Sequence, residues 1–223
     1  MNERIISVRG NGKLEISPNL TVVDFDIEVE DEDYDEAYEN YKYALEILTE
    51  IIISLGFEKS DLKTKRWDAS PVNVYEEIFD NETGKYRGIK ISKYRISHSL
   101  KIEFSLNSEK LSNLLSKISK YELPLEMIIN HDIKEKETVK NELLEKAVID
   151  ERNKAKVMVA ALGEELGELK KINYNVSDYS PDYADDFVES KFCESPSLGS
   201  IFSDFEPENL KFNDAVELIW GIK

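Results

Sequence analysis

At 223 residues the chain is long enough for one large domain, and a fold of that size buries roughly 70% of its unfolded surface without needing covalent staples. Cys193 is the single cysteine, so no intrachain disulfide forms. The formal charge of −17, from 46 acidic and 29 basic side chains, repels phosphate backbones and anionic lipid, which argues against nucleic acid as a partner and reads first as solubility.

The opening segment Met1–Val8 lacks the basic start and apolar run of a secretory signal, and no stretch approaches the ~20 apolar residues of a membrane span. A cytoplasmic protein is the expectation. Ile5, Ile6 and Val8 begin a strand, and Gly10-Asn11-Gly12 predicts a turn or bulge where it bends. After Pro18, Val23, Phe25, Ile27 and Val29 alternate with Asp24, Asp26, Glu28 and Glu30, which predicts a strand with one buried face and one wet, acidic face.

Asp33 with Glu36 resembles a capping box. Tyr34, Ala37, Tyr38, Tyr41, Leu45, Leu48, Ile52 and Leu55 then recur at helical spacing up to Gly56. Leu62–Ala69 reads as the next strand, and a hairpin around residues 81–84 joins Tyr75–Phe79 to Tyr86–Ile91. Tyr94, Ile96, Leu100, Ile102, Phe104 and Leu106 form one face of a long strand. Their parity conflicts with Ile89 and Ile91, so a bulge is expected near Ser92-Lys93.

A short helix capped by Asn107 or Ser108 carries Leu111, Leu114, Leu115 and Ile118. Met127, Ile129, His131 and Ile133 alternate as a strand, and a long helix follows with Leu144, Val148, Ala155, Met158, Val159 and Leu162 as its stripe. Ile172, Tyr174 and Val176 resume the sheet. Residues 178–208 hold nine acidic residues and one basic one, Lys191, and read as an acidic surface excursion, with aromatic residues that suit docking on a protein. Val216, Leu218, Trp220 and Ile222 face one way in a final strand.

The order of these signals resembles the SIMPL-domain family. The residues that carry the resemblance are Ile6–Gly12 followed by Pro18, Ser54-Leu55-Gly56 with Asp61–Thr64, Tyr94–Ser97, and the stretch Ala147–Gly167. The resemblance covers nearly the whole chain and implies a single α+β domain over residues 1–223. In it a mixed, mostly antiparallel sheet is packed by one long N-terminal helix, one short helix and one long helix in the C-terminal half. Ala155 and Ala160 read as allowing that last helix close to the sheet. The family includes bacterial oxidative-stress defence proteins and an outer-membrane immunogenic protein, so the resemblance also implies homo-oligomers and a role linked to stress or envelope physiology. Glu151 departs from the small apolar residue expected at its helix position, which predicts a wetter face there or a subunit contact.

Catalytic motifs are sparse. Gly10-x-Gly12 lacks the third glycine of a dinucleotide loop, and Asp31-x-Asp33-x-Asp35 imitates a calcium loop but continues with Glu36 and Lys42 at the glycine and glutamate positions. Cys193 sits among acids that disfavour its thiolate. Tyr34, Tyr38, Tyr41 and Phe57 read as core rather than as a ligand box. His98 and His131 fall on the apolar parity of their strands and read as satisfied core or rim histidines. No catalytic, cofactor-binding or metal residue is assigned. The expected function is a non-enzymatic, oligomeric binding or scaffold module, with a possible protein partner through the acidic segment. The alternative is a small-ligand binder or hydrolase-type enzyme built from dispersed residues near His98 and His131.

Overall fold

The computed structural model describes residues 4–80, 85–174 and 207–223, and within these the side chains outside 74–80 and 85–90. The elements in chain order are β1 (Ile5–Ile16), β2 (Leu20–Asp31), α1 (Tyr34–Ser54), a 3-10 turn (Lys59–Asp61), β3 (Lys63–Asp80), β4 (Lys85–Ser105), α2 (Ser108–Ile118), β5 (Leu125–Asp132), α3 (Lys136–Ala161), β6 (Leu166–Asn173) and β7 (Leu210–Ile222). The antiparallel pairing expected from the sequence is realised as two sheets, in the orders β1-β7-β6 and β3-β4-β2-β5. The chain divides accordingly into two compact units, one of residues 20–131 and one that joins residues 4–19, 132–174 and 207–223.

In the first unit the run β2-α1-β3-β4-α2-β5 with sheet order β3-β4-β2-β5 is the ferredoxin-like, split βαβ topology. Period-two patterning sets its inner face: Val23, Phe25, Ile27 and Val29 of β2 and Ile96, Leu100, Ile102 and Phe104 of β4 are buried against Ala37, Leu48 and Ile52 of α1 and Leu111, Leu114 and Leu115 of α2. Each such aliphatic or aromatic side chain contributes about 1.5–3 kcal/mol by leaving water. The opposite face is polar, and there Lys65 pairs with Asp24 at 3.0 Å and Arg95 bridges Glu28 and Glu30.

The start of α1 follows its sequence signal. Asp33 accepts the backbone N–H groups of Asp35 at 2.8 Å and Glu36 at 3.3 Å, and Asp31 accepts that of Asp33 at 2.9 Å, so the acidic run satisfies helix-end donors. Gly56 and Gly163 end α1 and α3 with φ of 83° and 75°, a region costly for other residues.

Several expectations are corrected. β4 pairs with β3 in unbroken register through Ser92 and Lys93, and the irregularity lies between Thr64 and Arg66 instead. Tyr34 and Tyr38 are exposed rather than core, because α1 turns them past the edge of the sheet, while Tyr41 is buried. The turn at residues 81–84, Val176, Cys193 and the acidic segment up to residue 206 lie outside the described residues.

The second unit lays α3 on the β1-β7-β6 sheet. β1 runs straight through Gly10 and Gly12 and pairs residue for residue with β7, from Ile5 opposite Gly221 to Ile16 opposite Leu210. These glycines make neither a turn nor a bulge. A Cβ at Gly10 would stand 2.1 Å from the Ala147 carbonyl oxygen, and one at Gly12 2.0 Å from that of Leu143, so both positions are emptied to let the helix backbone touch the strand. The buried line of α3 is Val139, Leu143, Ala147, Glu151, Ala155 and Val159, an i, i+4 series. Val148, Met158 and Leu162 from the expected stripe are exposed, as is Ala160, so Ala147 and Ala155 are the small residues of the contact.

Candidate functional site

The histidines come first because sequence singled them out. His98 is buried on the inner face of β4, and each ring nitrogen meets a hydroxyl: Nδ1 lies 2.9 Å from Tyr41 Oη of α1 and Nε2 lies 2.9 Å from Thr64 Oγ1 of β3. A neutral ring donates through one nitrogen and accepts at the other, and the hydroxyls take the complementary roles. Burial holds the His98 pKa below the ordinary histidine value and pushes the Tyr41 phenol up. The imidazole is thus a neutral bridge between helix and sheet.

His131 stands at the far end of β5. The bonds from Glu28 N–H to the Pro124 carbonyl and from Asn19 N–H to the Asp132 carbonyl set the direction of β5 beside β2, which puts His131 near Leu20, whereas His98 is opposite Ile27. Seven residues of strand separate them, roughly 20 Å. The His131 Nδ1 is buried without a hydrogen-bond partner, and burial lowers its pKa. The two histidines therefore do not share a site.

What surrounds His98 is aromatic. Tyr94 meets Tyr34 edge to face at 5.6 Å, Tyr34 stacks on Tyr38 at 6.4 Å, Tyr38 reaches Tyr41 at 6.1 Å, and Tyr41 reaches the imidazole at 5.7 Å. Trp67 of β3 stands opposite His98 in register. Tyr34, Tyr38, Trp67 and Tyr94 are each between 40% and 48% exposed, so the row offers ring surface to a partner while its inner end is locked. Trp67 and Thr64 were not legible beforehand, because the register shift after Thr64 decides which β3 residues share the face of His98. An open depression of about 460 Å³ lies elsewhere, lined by Ser54, Asn107, Lys110 and Lys117 among others, and neither histidine borders it.

In the second unit Glu151 is fully buried. That overturns the wetter helix face expected at this position. Its Oε1 accepts the Trp220 indole N–H at 2.9 Å, and its Oε2 has no partner. Burial, aided by neighbouring Asp150, pushes its carboxyl pKa up. Asp150 is held low by Lys154 at 2.6 Å and by the Asn11 backbone N–H at 2.8 Å.

Two antiparallel α+β units, one ferredoxin-like and one a three-stranded sheet under a single helix, define the class of protein. Residues 6–220 match the SIMPL family, whose description is a protein of unknown function (DUF541), and the chain belongs to that family. No curated protein matches it. Among the described residues, no helix is long and apolar enough to cross a membrane.

Proposed function

We propose that the chain is a non-enzymatic binding and assembly module that associates with copies of itself. The observation that carries this reading is the exposed aromatic row of Tyr34, Tyr38, Trp67 and Tyr94, backed by a histidine whose two nitrogens are already engaged. Tyrosine and tryptophan exposed side by side provide large, stiff, amphipathic contact area, the kind that dominates protein interfaces. A shared catalytic pair of His98 and His131 lacks support at their separation, so the hydrolase alternative is not the one favoured. The link to stress physiology rests on the family resemblance alone.

Light scattering behind a sizing column tests the reading. The expected result is a mass above that of one chain at micromolar concentration. A strictly monomeric protein across that range would sink it.

A further inference from the structure

We propose that assembly runs through the ribbon formed by the distal halves of β3 and β4, with the acidic free edge of one copy pairing with the basic free edge of the next. The inference deepens the assembly reading and rests on it. β2 pairs with β4 only from Ser105 back to Tyr94, where its last residue, Asp31, stands opposite Tyr94. β3 and β4 run on together from the pair Val72 and Lys93 to the pair Asp80 and Lys85. Among the described residues no third strand joins this ribbon, whose strands extend roughly 30 Å beyond the four-stranded sheet.

Two strands alone are marginal in water, and each free edge presents unpaired backbone N–H and C=O groups that recruit another strand. The two edges differ in charge. The β3 half contributes Glu76, Glu77 and Asp80, and the β4 half contributes Lys85, Arg87 and Lys90, a basic segment in a chain of net charge −17.

That pattern selects the occupant. Like edges brought together across a two-fold axis would set acid beside acid or base beside base, whereas β3 of one copy beside β4 of another sets acid beside base. The lane next to residues 85–93 of β4 is also the continuation of the one β2 vacates at Asp31, so an added strand extends the sheet without displacing any element described. A head-to-tail contact of this kind builds rings or filaments rather than a closed pair.

The test uses the full chain with one edge reversed at a time. Glu76→Lys with Glu77→Lys and Asp80→Lys makes one variant, and Lys85→Glu with Arg87→Glu and Lys90→Glu makes the other. Each should self-associate about tenfold or more weakly than the wild type, and mixing the two should restore assembly, because their edges are then complementary again. Val74 and Ile91 are opposite in register, so a chain in which Asn-Gly replaces residues 75–90 closes the ribbon at that pair. That shortened chain should be monomeric with its helical circular dichroism intact, which covers the case in which a reversal loosens the ribbon. If the wild type assembles and the shortened chain assembles equally well, the edge contact is wrong while the assembly reading stands. Reversed variants that fold but fail to recover on mixing also overturn it. A monomeric wild type defeats both readings.

Discussion

Glu151 and Trp220 show what one buried carboxyl does to an otherwise apolar helix face. The groups packed against Glu151 from the strands are Gly10 of β1 and Trp220 of β7, so charge on it is opposed by burial and by Asp150, one residue before it on α3. Its folded pKa is raised above the ordinary 4.5. For an acid shifted this way, the stability it permits is fully present below the unfolded value and is lost as pH climbs through the folded one. Glu151→Gln keeps an oxygen for the indole N–H and cannot ionise. Thermal melts should show the variant close to the wild type near pH 4 and more stable at pH 8, by about 2–4 °C for each kcal/mol released. A difference that does not grow with pH would show that the carboxyl stays neutral throughout.

At the scale of elements, the contact of α3 with β1 is made by absence of side chain. Gly10→Ala would push a methyl group against the Ala147 carbonyl at 2.1 Å, and backbone cannot yield as a flexible side chain does. The helix must lift, at a cost of about 1–3 kcal/mol or more. Denaturant unfolding should register that loss, and a Gly10→Ala variant as stable as the wild type would refute the close approach. In the other unit Leu100 is 2% exposed on the inner face of β4. Leu100→Asp should cost on the order of 3 kcal/mol or more, because it strands a charge in the core. An unchanged melt would mean that the inner-face parity of β4 is misassigned.

The whole molecule is two cores threaded by one chain. Residues 20–131 contain four strands and two helices with their own buried cluster, whereas the second unit depends on β1 and β7 from opposite ends of the sequence, joined over a pairing from residue 5 to residue 221. A fragment of residues 20–131 is therefore expected to fold alone and melt cooperatively. Removal of residues 207–223 should instead dismantle the β1-β7-β6 sheet, since β7 is its central strand. Hydrogen exchange on the truncated chain checks both statements. Protection retained in β1 after loss of β7 would contradict the second.

Local chemistry made much of this legible in advance. The alternation of Val23 to Val29, the cap at Asp33, the glycine stop at Gly56 and the spacing of Leu111 to Ile118 each depend on neighbours within a few residues, and a single sequence carries that information. The purpose of Gly10 and Gly12, the burial of Glu151, the outward turn of Tyr34 and Tyr38 and the pairing of Trp67 with His98 were not legible. Each is decided by an element far along the chain: α3 for the glycines, β7 for Glu151, the edge of the sheet for the tyrosines, and the register of β3 for Trp67. Periodicity states which residues share a face. Which partner meets that face, and how closely, is a property of packing between distant segments, and only the tertiary structure fixes it.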